Sequence, residues 1–361
     1  MTGSKASGIV GRPALDCRHY RGDLPCVKRT VCWECDAAEP IPRRALVIKF
    51  GAPGDALRTT PLLARLRSEG YGEITWICDE SSHEVLSLAR GIDRLIVFSP
   101  AALALVQVER FGTVFSLDKD RAACALAMLA MSDDKRGFGL TAEGRLMPFN
   151  DASWYALRLG IDDPLKFRGN TVTAPQLGFQ MAGYEYRGEE YDLAFVGEPL
   201  PPPERPGKMI CLNVGVGPRW PTKAWPEDNW VALARLLKEK DLHPVFVGGE
   251  AEAWLLERLA ARAGCRALPP ASIAIFAETL AAAAGVVSCD SLGLHVALAV
   301  RTPVVGLFCS TVSAEIEWFG RGVGLASRQG PCYRADCPNW PACMNEIRPE
   351  AVFEALRGIM A

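Results

Sequence analysis

Three short segments carry residues whose types and spacing suit chemistry on a phosphorylated, hydroxyl-bearing substrate. The first is Lys49-Phe-Gly-Ala-Pro-Gly-Asp55. Its glycines, Gly51 and Gly54, let a substrate approach the backbone, and Asp55 follows them at the start of a helix. A carboxylate there is either a general base facing the crevice beyond a strand or simply the helix cap, and the turn alone supports both. The second segment runs from Asn213-Val-Gly-Val-Gly217 to Trp220-Pro-Thr-Lys-Ala-Trp-Pro226. A glycine-rich loop with Thr222 and Lys223 ahead of a helix is a plausible diphosphate grip. Trp220 and Trp225 either stack on a ligand or pack on the lobe, and packing is the better reading for Trp225. The third is Ser288-Cys-Asp-Ser-Leu-Gly-Leu-His295, where Asp290 ends a strand and Ser291 opens a helix whose free N–H groups suit phosphate oxygens. His295 either faces that site or is a buried histidine. No segment spells the dinucleotide fingerprint G-x-G-x-x-G.

Eight of the thirteen cysteines are grouped. Cys17, Cys26, Cys32 and Cys35 precede the first strand, include a C-x-x-C pair and suit a structural zinc or iron centre. The alternative is a set of free thiols on an arm. Cys332, Cys337 and Cys343 lie in a Pro-rich loop near the end, with Cys309 as a candidate fourth member. Neither group is expected to take part in the main reaction, which requires no cofactor.

These residues must be positioned by regular elements, and the apolar pattern supplies them. Continuous apolar runs at 45–50, 73–79, 94–99 and 113–118 alternate with helical patterns, among them one long amphipathic helix over 57–70 and an Ala-rich helix after 118. After a Pro-rich connector at 199–207 the alternation restarts, with strands at 209–215, 243–249, 285–290 and 302–308 and a closing helix at 352–360. This predicts an α/β chain of two Rossmann-like lobes with parallel sheets and an interdomain cleft. The expected division is a Cys-containing segment at 1–42, a first lobe at 43–200 and a second at 207–345. A final helix at 346–361 is expected to pack back toward the first lobe.

Composition bounds the partners. The 361 residues carry a net charge of −2, so no broad basic face for nucleic acid is expected. No apolar run reaches the roughly 18 residues of a membrane span. The opening MTGSKASGIVGRPALDC lacks the apolar core of a secretory signal, and residues 1–16 read as disordered or loosely packed. A cytoplasmic protein with free thiols is expected, with contact at the inner face of the membrane left open.

The ordered set KFGAPGDALRTTPLL, LNVGVGPRWPTKAWP, FVGGE and VVSCDSLGLHVALAVRTPVVGLF resembles the heptosyltransferase family of GT-B glycosyltransferases. The resemblance implies an inverting, metal-independent transfer of heptose, or a related sugar, from ADP-heptose to a hydroxyl of a lipid-linked lipopolysaccharide-core acceptor. A protein acceptor and an inactive, metal-sensing nucleotide-sugar-binding module are the alternatives. The same resemblance makes Asp55 the base that deprotonates the acceptor and Lys223 the cation that neutralises the leaving diphosphate. It assigns the donor to Thr222, Lys223, Glu250, Asp290, Ser291, Gly293 and His295, and the acceptor side to Lys49, Gly54 and Arg58. Two departures from the family pattern stand out, Leu292 before Gly293 and Cys309-Ser-Thr311 after the last strand.

Overall fold

The computed structural model describes residues 13–194, 207–217 and 219–360. Most of the expected N-terminal tail and of the Pro-rich connector lies outside these residues. In the first lobe β1 (Arg44–Ile48), α1 (Pro53–Leu57), α2 (Leu62–Ser68), β2 (Glu73–Cys78), α3 (Glu80–Ser87) and β3 (Arg94–Val97) come in turn. They are followed by α4 (Pro100–Val108), β4 (Thr113–Ser116), α5 (Arg121–Leu129), β5 (Lys135–Leu140), β6 (Leu146–Pro148), α6 (Trp154–Arg158) and α7 (Ala174–Met181). The second lobe contains β7 (Met209–Asn213), α8 (Glu227–Glu239), β8 (His243–Val247), α9 (Ala253–Ala263), β9 (Arg266–Ala267) and α10 (Ile273–Ala281). It continues with β10 (Gly285–Cys289), α11 (Leu292–Ala299), β11 (Val304–Phe308), β12 (Gly322–Ala326), α12 (Ala342–Asn345) and α13 (Pro349–Met360).

The two sheets share one topology. Their strand orders are β3-β2-β1-β4-β5-β6 and β12-β11-β10-β7-β8-β9, the same doubly wound order taken from opposite edges. All pairings between these strands are parallel except β5 with β6. The central strands β7, β10 and β11 are buried along their whole length, as uninterrupted apolar runs covered by helices on both faces require. The helices present one apolar stripe each: α8 buries Trp230, Val231, Leu233, Ala234 and Leu237 and leaves its charged side outward.

Two expectations change. The helix predicted over 57–70 is two helices: α1 begins earlier, at Pro53, and Pro61 separates it from α2. Proline has no N–H to bond and its ring crowds the preceding turn, which breaks a helix but suits a first position such as Pro53. The last helix, expected to pack back toward the first lobe, has its main packing on the second. It lies on α8 and on β10, β11 and β12, where Val352, Phe353 and Leu356 are buried. Each such side chain contributes about 1.5–3 kcal/mol by leaving water, which holds α13 on the second lobe.

The lobes meet along α1 with α11 and α3 with α10. Polar bonds join them as well: Glu84 accepts the Ile273 N–H at 2.8 Å, Thr173 donates to Glu317 at 3.2 Å, and Arg321 donates to Glu190 at 2.8 Å.

Candidate active site

In each sheet the chain direction of winding reverses between two central strands, β1 and β4 in one lobe and β7 and β10 in the other. The helices after these strands lie on opposite faces, so a crevice opens beyond the strand ends. Both crevices contain residues singled out by the sequence.

In the first crevice, Lys49 Nζ reaches Asp118 Oδ2 at 2.7 Å, and the same oxygen accepts the Phe50 N–H at 3.1 Å. Asp79 Oδ2 accepts the Gly51 N–H at 2.8 Å, and Gly51 takes the left-handed conformation that this turn requires. The turn is thus pinned from β2 and β4, and Asp55 projects from the helix that follows. The capping alternative fails. Ala52 is the cap residue of α1, with no side-chain bond, and the Asp55 carboxylate instead sits 2.7 Å from Arg58 Nη2.

In the second crevice, Asn213 Nδ2 donates to Ser288 Oγ at 2.9 Å and to Ser291 Oγ at 3.1 Å, tying the ends of β7 and β10 to the start of α11. Gly293 lies against the same asparagine, leaving no room for a Cβ. Lys223 Nζ binds Asp290 twice, at Oδ2 (2.6 Å) and the backbone carbonyl (3.2 Å). Thr311 Oγ1 donates to Asp290 Oδ2 at 2.5 Å. Burial pushes the Asp290 carboxyl upward, but Lys223, His295 and the Thr311 hydroxyl outweigh it and hold it below the usual carboxylate range. The segment that departs from the family pattern therefore supplies a direct bond to the site.

The two crevices face each other. His295 is buried on α11 with its imidazole against Gly54. Burial lowers its pKa to about 4, helped by the Arg58 charge and opposed by Asp290 and Asp55. At Asp55 desolvation acts upward, yet Arg58, Lys49, His295 and Lys223 together hold the carboxyl at about 2. The charge of Lys223, from the other lobe, is felt at Asp55, so the three sequence segments form one site. Both readings offered for His295 hold together: it is buried, and it borders the cleft.

Other expected residues take different places. The Thr222 hydroxyl is committed to the Arg334 carbonyl at 2.8 Å and its residue is buried. Glu250 is exposed at the start of a short 3-10 turn, while Glu252 accepts the Gly249 N–H at 3.1 Å. Trp225 is a packing residue, edge-on to Trp230, with its indole N–H on the Ile347 carbonyl. Trp220 remains beside Lys223, 5.5 Å from its ring centre to the ammonium.

Sequence reasoning missed Asn213, Asp118, Lys119, Glu315 and Tyr333 as members of the site. Burial and the nearby Lys166 charge bring the Lys119 amine down to about 8, facing the same crevice charges as Lys49. Asn213 and Asp118 carried one signal, a polar residue at or just after the end of a buried strand. Glu315 and Tyr333 carried none.

The cysteines are all free thiols. Cys32 is raised above its ordinary pKa by burial and by the Cys26, Cys35 and Cys17 thiols. Cys309 is raised by burial, Cys343 and Cys332, and its thiol donates to the Thr222 carbonyl at 3.2 Å. Among the described residues, however, no group of three or more His, Cys, Asp or Glu side chains is arranged to hold a metal ion.

Comparison with known proteins bears on the family and the fold. Residues 187–339 match the family model described as glycosyltransferase family 9 (heptosyltransferase). Lipopolysaccharide heptosyltransferase 1 of Pseudomonas aeruginosa is 28% identical over 164 residues, 40% of this chain and 46% of the relative. The chain thus spans about half the length of the curated relative it matches. Among solved structures, a family 9 glycosyl transferase from Veillonella parvula superimposes with a TM-score of 0.65 at 15% identity, covering 88% of this chain and 97% of its own. The E. coli heptosyltransferase WaaC with ADP gives 0.63 at 20% identity, covering 88% and 100%. The expected GT-B fold is the fold of this chain. Among the described residues no helix is long and apolar enough to cross a membrane.

Proposed function

We propose, for a chain whose residues 187–339 match the heptosyltransferase model of glycosyltransferase family 9, that the cleft transfers a sugar from a nucleotide diphosphosugar to a hydroxyl with inversion. Asp55 takes the acceptor proton, the acceptor oxygen bonds to the anomeric carbon, and the bond from that carbon to the diphosphate oxygen breaks. The nucleoside diphosphate leaves with the electron pair, and Lys223 together with the first N–H groups of α11 meets its charge. The observation that supports this reading best is the convergence of Asp55 from one lobe with Lys223, Asp290 and His295 from the other.

The finer reading is that the donor is ADP-heptose and the acceptor a lipid-linked lipopolysaccharide core, reached in the cytoplasm at the inner membrane face. It rests on the Pseudomonas relative and on the ordered motifs. Glu250, Ser291 and Gly293 complete the donor side in this reading, and Lys49, Gly54 and Arg58 the acceptor side. The four N-terminal thiols are read as a structural zinc or iron site with no part in transfer. Incubation with a panel of nucleotide sugars, with heptose-deficient core or candidate partner protein as acceptor, tests the whole. ADP release from ADP-heptose that needs the core acceptor and disappears in Asp55→Ala is the expected result. Release that survives Asp55→Ala removes the proposed base.

A further inference from the structure

Asp55 as it stands is a poor proton acceptor, because one of its oxygens is held by a guanidinium. Arg58 Nη2 lies 2.7 Å from Asp55 Oδ1, while its other terminal nitrogen lies 3.9 Å from Glu315 Oε2. Glu315 ends a 3-10 turn, Ser313–Glu315, beyond β11 of the second lobe. Its Oε1 accepts the Tyr333 hydroxyl at 2.7 Å. Tyr333 is itself clamped from the first lobe: its ring stacks on Phe167 with centroids 5.0 Å apart and planes 8° from parallel, and the Lys166 ammonium lies 3.6 Å from its centre. Arg58, Asp55 and Glu315 are all partly shielded, with side-chain exposures of 22%, 41% and 24%. One arginine is thus placed between two carboxylates on opposite walls of the cleft, and only one of them is in full contact.

We propose that Glu315 is a positioning residue for transfer, which draws the Arg58 guanidinium off Asp55 as the acceptor hydroxyl enters. The inference rests on the reading of Asp55 as the base. A carboxylate that keeps the guanidinium has little appetite for a proton, because protonation forfeits the ion pair. Moving the guanidinium toward Glu315 leaves its charge neutralised in the cleft and turns the Asp55 oxygen over to the acceptor O–H. The Tyr333 hydroxyl and the Phe167 stack hold Glu315 at the wall where this exchange takes place. The shift needed is small, since the second nitrogen of the same planar group already points to Glu315.

Glu315→Gln removes the competing charge while keeping shape. With ADP-heptose and heptose-deficient core, kcat is expected to fall about tenfold or more, with the Kd for ADP-heptose unchanged within about twofold. In an Arg58→Gln background the same change is expected to cost no more than about twofold, because there is no guanidinium left to draw away. Glu315→Asp is expected to recover most of the lost kcat. Tyr333→Phe keeps the ring stack and serves as the second variant: its smaller loss must also vanish in the Arg58→Gln background. A silent Glu315→Gln, or equal losses in both backgrounds, overturns the inference. The underlying base assignment fails separately, by transfer that persists in Asp55→Asn.

Discussion

A Cβ at position 54 would lie 2.7 Å from Cδ2 of His295, so the first helix of one lobe and α11 of the other meet at a point that admits no side chain. The imidazole is buried there and cannot turn away cheaply. Gly54→Ala should therefore push α1, and Asp55 with it, away from the donor side. Overpacking of this kind costs about 1–3 kcal/mol, and a displacement of about an ångström at the reacting groups is enough to lower transfer by about a hundredfold. Denaturant unfolding and kcat measured on the same variant check both effects. A second change, His295→Ala, reopens the space and should restore part of the stability.

His295 also gives the protein a dependence on pH. Its pKa is about 4 in the folded chain, below the ordinary value of 6.5, so the unfolded chain binds the proton more readily. Stability from this group is complete above about pH 6.5 and is lost as pH falls from there through about 4. The shift sets a ceiling of about 3 kcal/mol on the effect. The charges facing the ring are Arg58 and Lys223, which resist protonation, and Asp290 and Asp55, which favour it. Urea midpoints between pH 7 and pH 5 should fall in the parent chain and fall less in His295→Gln. Parallel slopes in the two proteins would contradict the assignment.

The sequence showed its sheets clearly where both faces are buried. The runs that became β1, β2, β7, β8, β10 and β11 are continuous and apolar, and their ends fix where Asp55 and Asp290 must lie. It was silent at β5, Lys-Arg-Gly-Phe-Gly-Leu, and at β6, whose residues are only partly buried at the sheet edge. Glycine and charge remove the apolar run by which a strand such as β5 is recognised, and β6 is only three residues long. The same division holds in the site. Lys223 and Asp290 were visible because each sits at a glycine-rich turn or a strand end. Glu315 and Tyr333 were not, since what joins them to Arg58 is a contact between lobes that no local spacing records. The helix break at Pro61 was readable from the proline itself and was masked by the amphipathic pattern around it.

Lys223 and Asp290 should behave as one unit. Both side chains are largely shielded, at 14% and 12% exposure. Lys223→Met leaves the Asp290 carboxylate with the Thr311 hydroxyl and the charge of Arg58, since the buried His295 is neutral near pH 7, and breaking a shielded pair from one side costs about 3–5 kcal/mol when fully buried. A somewhat smaller loss is expected here because the pair borders an open cleft. Lys223→Met with Asp290→Asn should recover much of that stability and none of the transfer activity. Thermal unfolding of the single and double variants separates the structural cost from the loss of diphosphate neutralisation.

The N-terminal thiols lead to a prediction independent of the cleft. Cys17, Cys26 and Cys35 each make the Cys32 thiolate less favourable, and a divalent cation among them would reverse that repulsion. The described side chains are not arranged as a metal site, so binding must draw the sulfurs together. Metal analysis of protein purified without chelator is expected to find about one zinc or iron per chain, in the usual four-thiolate ratio. Cys32→Ser with Cys35→Ser should abolish that metal and loosen residues 17–40, seen as faster proteolysis of that segment. The proposed glycosyl transfer should continue in the double variant, because none of the four thiols is among the residues that build the Asp55–Lys223 cleft. Full metal content after both substitutions would show that the ion belongs to another site, with Cys309, Cys332 and Cys343 the first to examine.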